Sequence, residues 1–126
     1  MTDEASRGGV RRGPTLWLLL TAVCCCGLFL IFVMGASAGG LDVREACGLA
    51  GQDYDEAYRA EHWQEPSRLF PLHNKCNASF DLVPAWINPT LVCLTVAAGA
   101  CAITGMATAR AGRARERAAV TGGDRR

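Results

Sequence analysis

Hydrophobic positions along the chain fall into two long uncharged runs that are separated by a polar segment. The runs cover residues 15–38 and 86–109, and neither contains Asp, Glu, Lys, Arg or His. At a rise of about 1.5 Å per residue, a helix over the first run would be roughly 36 Å long, enough to cross a hydrocarbon core of about 30 Å. The pattern therefore predicts two transmembrane helices.

The polar segment between the runs is too small for a large core and shows only short periodic stretches. Asp53 and Glu56 are spaced as a capping box, which favours a helix over residues 54–64. A second short helix or turn is expected near 42–50, and the proline-rich stretch 66–84 is expected to be an ordered loop. The predicted fold class is an all-α membrane protein with two transmembrane helices, joined by a small disulfide-linked extracytoplasmic segment with one or two short helices.

The start of the second transmembrane helix has its own signal, because Asn88 is a favourable N-cap and Pro89 suits the first helical position. Five regions follow from these boundaries. They are an N-terminal segment (1–14), a first transmembrane helix (15–38), an extracytoplasmic segment (39–87), a second transmembrane helix (88–109) and a basic tail (110–126).

Charge predicts the orientation of the two spans. Residues 39–88 contain eight acidic and four basic residues, a net charge of −4, whereas arginines flank the outer ends of both runs. Since an excess of Lys and Arg marks cytoplasmic flanks, we expect a multi-pass plasma-membrane protein with both termini in the cytoplasm. The arginines expected to set this topology are Arg11, Arg12, Arg110, Arg113, Arg115 and Arg117.

The arginine-rich tail has a second expected role, contact with anionic lipid headgroups. Arginines next to a transmembrane helix commonly bind such headgroups and determine topology. A nucleic-acid partner is therefore not expected.

The seven cysteines divide according to compartment. Cys47 and Cys76 are the two in the extracytoplasmic segment, where oxidising conditions favour a disulfide. Such a bridge would stabilise the segment by about 3.5 kcal/mol on the chain-entropy model. The remaining cysteines lie within the runs, where a neutral thiol behaves as a small apolar side chain, and they are expected to be filler: Cys24, Cys25, Cys26, Cys93 and Cys101.

A metal site is the alternative for the extracytoplasmic cysteines. Its ligands would be Cys47, His62, His73 and Cys76, but structural zinc sites usually have closely spaced ligands at both ends, and Cys47 has no such neighbour. The sequence contains no phosphate-binding loop, nucleophile elbow or metalloprotease helix motif. We therefore predict no cofactor, no bound metal and no catalytic residue.

Small residues on the second run predict a helix-packing face. Ala97, Cys101 and Gly105 lie four residues apart, and small side chains allow helices to approach closely in lipid. The partner helix could be the first run, with its Gly27 and Gly35, another membrane protein or a second copy of the chain. Simple low-bulk filler is the alternative.

The end of the first run also matches a signal-peptidase site, with cleavage after Ala38 as the alternative to a retained anchor. The apolar stretch over residues 16–34 is longer than the usual 7–15 residues of a signal peptide's apolar region, which favours an uncleaved anchor.

The stretch EPSRLFPLHNKCNASFDLVPAWINP resembles small two-span membrane proteins of actinobacteria, in which a proline- and aromatic-rich segment leads into the second helix. The resemblance covers roughly residues 39–90 and implies the topology and the source. The resemblance implies no function and no catalytic residue. The patterns above lead us to expect a non-enzymatic accessory or protein-interaction subunit of the cell envelope. The alternative is an extracytoplasmic thiol or metal-binding protein.

Overall fold

The structure, a computed structural model, describes residues 13–123. The predicted pair of long apolar helices is confirmed. The elements in chain order are α1 (Pro14–Ala36), α2 (Val43–Leu49), α3 (Glu56–Glu61), a single 3-10 turn (Glu65–Ser67), β1 (Lys75–Asn77), β2 (Phe80–Asp81) and α4 (Ile87–Gly123).

The chain divides into two units, and one of them comprises residues 25–95. Its small apolar core contains Leu72, Val83, Ile87 and Leu91, with side chains from the second half of α1 packed against it. Gly35 makes this packing possible. A Cβ atom added there would lie 2.7 Å from Cδ1 of Leu72 and 2.9 Å from Cγ2 of Ile87. The C-terminal turns of α1 are therefore part of the core of this unit.

The stretch 66–84, expected to be an ordered loop, contains a two-stranded antiparallel hairpin. The Oδ1 atom of Asn77 accepts hydrogen bonds from the backbone N–H groups of Ser79 and Phe80, and this side-chain bonding favours a tight turn. The turn brings Asp81 opposite Lys75. Over residues 13–123, the expectation of an all-α fold is thereby corrected to a mostly helical fold with one short hairpin.

The α3 helix is shorter than predicted and begins later. Asp55, rather than Asp53, is its N-cap, with its carboxylate accepting a hydrogen bond from the Tyr58 N–H. The helix ends at Glu61, and His62 is its C-cap. The predicted helix over 54–64 is therefore replaced by six helical residues and a separate 3-10 turn.

The α4 helix also departs from the prediction at its start. It begins at Ile87, so Asn88 lies inside the first turn and is not the N-cap. The helix does not stop at the end of the apolar run but continues from Arg110 to Gly123. Those fourteen residues extend it by roughly 20 Å beyond the apolar run.

The second unit comprises, within the described residues, 13–24 and 96–123. Gly105 is buried in it, and a Cβ atom added there would lie 3.1 Å from Cβ of Trp17. The absence of a side chain at Gly105 thus allows close approach to Trp17 in α1.

Candidate functional site: the disulfide-tied middle segment

The middle segment, residues 39–86, is organised around the predicted disulfide, which is confirmed. Cys47 on α2 and Cys76 on β1 are bonded, their Cα atoms are 5.8 Å apart, and both residues are fully buried. This separation lies within the usual range for disulfides. Next to the bridge, the Asp55 N–H donates a hydrogen bond to the Cys76 carbonyl oxygen, which joins the start of α3 to β1.

Arg59 makes a second connection between α3 and the hairpin. Its Nη1 atom donates to the carbonyl oxygen of Lys75 at 2.7 Å and to Oδ1 of Asn74 at 3.1 Å. Its guanidinium also lies over the Tyr54 ring, 5.6 Å from the centroid, and Arg44 lies over the same ring at 5.0 Å. Cation–π contacts of this kind contribute about 0.5–1 kcal/mol at exposed sites.

A third cluster joins Tyr58, Glu65 and Lys75. The Nζ atom of Lys75 donates to the Tyr58 hydroxyl at 3.2 Å and lies 3.6 Å from Oε1 of Glu65. The hydrogen bond to Tyr58 and the charge of Glu65 raise the pKa of Lys75 above its ordinary value of 10.5, against the lowering effect of desolvation. The adjoining cavity measures only about 20 Å³, so it has room for about one water molecule and none for a substrate.

The two histidines of the hypothetical metal site lie in different bonding arrangements. The Nδ1 atom of His73 is 2.6 Å from Oδ2 of Asp81, and Oδ1 of Asp81 accepts the N–H groups of Asn74 and Val83. The His62 ring stacks on Tyr58 with centroids 4.3 Å apart.

Of the four hypothetical metal ligands, the structure therefore joins Cys47 to Cys76, and it does so covalently. Over residues 13–123, no three His, Cys, Asp or Glu side chains are grouped so that they could hold a metal ion.

Asn88 has a role that the sequence did not indicate. Its Oδ1 atom accepts the Leu72 N–H at 2.9 Å, and its Nδ2 atom donates to the Leu72 carbonyl oxygen at 3.0 Å. The side chain thus satisfies both backbone polar groups of a buried residue in a stretch without secondary structure. A buried leucine sixteen positions away in sequence gives no local pattern, whereas the neighbouring Pro89 does, and that local pattern predicts a helix cap.

The remaining predicted site residues lie on the long helices. Gly105 is buried against Trp17, while Ala97 and Cys101 are half-buried. Arg11 and Arg12 lie outside the described residues. The other arginines predicted to set the topology are all exposed on the last turns of α4: Arg110, Arg113, Arg115 and Arg117.

The cysteine triplet is spread around the surface of α1. Cys24 is half-buried, whereas Cys25 and Cys26 are exposed. Consecutive helical residues point about 100° apart, so the three thiols do not converge.

Comparison of the chain with protein-family models, with curated proteins and with solved structures gave no match. The interpretation of the middle segment therefore rests on its own geometry.

Proposed function

We propose that the chain is a two-span membrane protein that holds its middle segment outside the membrane as a fixed protein-interaction surface. The observation that carries the proposal is the exposure of large apolar side chains around α1, where Leu18, Val23 and Phe29 are each more than 60% exposed. Soluble monomers rarely expose a contiguous apolar surface of this kind. A bilayer covers such a surface without any protein partner.

Retention of α1, rather than its removal as a signal peptide, is part of the proposal. Leu28, Ile31 and Phe32 pack against the core of residues 25–95, and Gly35 lies against Leu72 and Ile87. Cleavage after Ala38 would remove these four residues and expose apolar core side chains to water, which is unfavourable. Their packing supports an uncleaved anchor.

An accessory role is favoured over catalysis by the way polar side chains are used in the middle segment. Arg59, Lys75, Asp81 and Asn88 each bond to the protein itself. Groups bonded in this way fix a surface shape, whereas a catalytic group needs access to substrate. The surface instead presents isolated apolar side chains such as Leu49 and Trp63, which are 84% and 66% exposed.

Reporter fusions test the topology. The charge distribution predicts that a reporter after residue 60 lies outside and one after residue 120 lies inside. Replacing Arg110, Arg113, Arg115 and Arg117 together with Gln is expected to weaken or invert this orientation, with Arg44→Gln as the control. Cytoplasmic signals from both fusions of the unmodified chain would contradict the two-span proposal.

Photo-crosslinking in native membranes tests the interaction role. A crosslinking residue at exposed Leu49 or Trp63 is expected to give a discrete adduct with one envelope protein, and the same residue at buried Val83 should give none. Failure of both exposed positions to give any adduct would count against an interaction surface on the middle segment.

A further inference from the structure

A groove lies beside the C-terminal turns of α1, within the unit 25–95. It measures about 120 Å³, with apolar walls from Phe32, Gly35, Leu69 and Leu72. Polar and charged residues complete it: Ser67, Arg68, His73 and Asn74. The volume is below the roughly 300 Å³ at which drug-sized ligand pockets begin, so the groove suits a small polar group and not a whole ligand.

Arg68 is distinctive among the basic residues of the middle segment. Arg44 pairs with Glu56, Arg59 bonds to the Lys75 carbonyl oxygen, and Lys75 bonds to Tyr58. The side chain of Arg68 makes no hydrogen bond or ion pair with any residue in 13–123. A guanidinium that is not engaged by protein can bind phosphate oxygens through two parallel hydrogen bonds.

The residues that follow Arg68 are apolar and exposed. Leu69 is 77% exposed and Phe70 is 53% exposed, and Leu72 returns to the core against Gly35 and Ile87. The loop therefore places one free cation and two apolar side chains where α1 ends and α4 begins. If the helices span a bilayer, this is the depth of the headgroups and the first carbons of the acyl chains.

We propose that this groove binds the phosphate of an anionic phospholipid in the outer leaflet. Arg68 contacts the phosphate, while Leu69 and Phe70 lie among the upper acyl carbons next to Phe32. The inference rests on the proposed membrane insertion and adds a specific lipid contact to it. The choice of a lipid over a soluble phosphate follows from the apolar neighbours of Arg68, because Leu69 and Phe70 are 77% and 53% exposed and a free phosphate has no acyl carbons to cover them.

The test uses the full chain in detergent micelles, titrated with phosphatidylglycerol or with zwitterionic phosphatidylcholine and observed by native mass spectrometry. Arg68→Gln is expected to weaken phosphatidylglycerol binding roughly fivefold, the value of one basic residue near an anionic headgroup. Arg68→Lys should retain most of the affinity. Arg44→Gln removes the same charge from the same segment and should change the affinity little.

Three results would overturn the proposal. The first is that Arg68→Gln binds phosphatidylglycerol as tightly as the unmodified chain does. The second is that Arg44→Gln loses as much affinity as Arg68→Gln. The third is that inorganic phosphate, at the same phosphate concentration, displaces the lipid. Alkaline carbonate extraction of native membranes separates this inference from the proposed function. Release of the protein by carbonate would contradict both, whereas a retained protein with unchanged Arg68→Gln binding would contradict the lipid site alone.

Discussion

In the middle segment, a disulfide and a set of polar bonds connect α2, α3 and the hairpin, whereas α1 and α4 direct large apolar side chains outward. Over residues 13–123, no buried side-chain nitrogen or oxygen atom lacks a hydrogen-bond partner. The core of the unit 25–95 contains only four buried apolar residues besides the disulfide. The middle segment therefore depends on specific bonds, whereas under the proposed membrane insertion the long helices depend on the lipid that covers them.

The disulfide should give the largest effect in this comparison. Replacing Cys47 and Cys76 with Ser is expected to destabilise the middle segment by about 3.5 kcal/mol, because the unfolded chain loses a constraint. That corresponds to roughly 300-fold more of the opened form. The measurement is the rate of limited proteolysis within residues 39–86 of the detergent-solubilised protein.

Cys93→Ser is the matched control, because Cys93 is exposed on α4 and makes no disulfide. Its proteolysis rate should equal that of the unmodified chain. Unchanged protease resistance in the double Cys47/Cys76 variant would show that the polar bonds suffice without the bridge.

Gly35 is the point where a long helix and the middle segment share a core, and it should give the next largest effect. Gly35→Ala places a methyl group within 3 Å of both Leu72 and Ile87, which are buried and have little room to move. Overpacking of this kind costs about 1–3 kcal/mol. The readout is again proteolysis of residues 39–86.

Gly99→Ala on α4 supplies the comparison for Gly35, since a Cβ atom there would meet nothing within 4 Å. We expect no loss of stability from it. If both variants behave alike, α1 does not contribute to the core, and the argument for a retained anchor weakens.

The Lys75 cluster should give a smaller effect, visible only at alkaline pH. The hydrogen bond to Tyr58 and the charge of Glu65 raise the Lys75 pKa above 10.5. A raised pKa in the folded state contributes stability that is complete below the unfolded pKa and is lost as pH rises through the folded pKa. The free energy of unfolding should therefore fall above about pH 10.5, and Tyr58→Phe should reduce that fall.

Tyr54→Phe is the control for the loss of a tyrosine hydroxyl. The Tyr54 ring contacts Arg44 and Arg59, but its hydroxyl makes no hydrogen bond to residues 13–123. It should retain the alkaline slope of the unmodified chain. If the unfolding free energy of the unmodified chain, Tyr58→Phe and Tyr54→Phe falls equally with alkaline pH, the bond between Lys75 and Tyr58 does not stabilise the segment.

Sequence reasoning succeeded where a single physical constraint acts over the whole pattern. Long uncharged runs of this length have few alternatives to an apolar helix. The Cys47–Cys76 bridge followed from their being the two cysteines outside the apolar runs. Neither inference required knowledge of which side chains meet in space.

The prediction failed where structure depends on contacts between residues distant in sequence. Asn88 looked like a helix cap, but its amide pairs with the backbone of Leu72. Asp55, and not Asp53, is the α3 cap, and its N–H donates to the carbonyl oxygen of Cys76, which is distant in sequence. The hairpin turn is a different case, because the bonds from Ser79 and Phe80 to Asn77 are local and the sequence prediction missed them. The groove beside Arg68 could not be predicted either, because its walls come from α1 and from a loop that begins thirty residues after the end of α1.

The cysteine triplet on α1 should give the smallest effect of all. Replacing Cys24, Cys25 and Cys26 with Ala exchanges small apolar groups on a helix surface, where Cys25 and Cys26 are exposed and only Cys24 is half-buried. Substitutions of this kind usually change stability by less than about 0.5 kcal/mol. Resistance to carbonate extraction, reporter orientation and proteolysis of residues 39–86 should all match the unmodified chain. If the triple variant differs from the unmodified chain in any of these measurements, the single variant Cys24→Ala identifies which cysteine is responsible. Failure of Cys24→Ala would indicate packing at the half-buried position, whereas failure of the triple variant alone would indicate chemistry of the exposed thiols and contradict their role as filler.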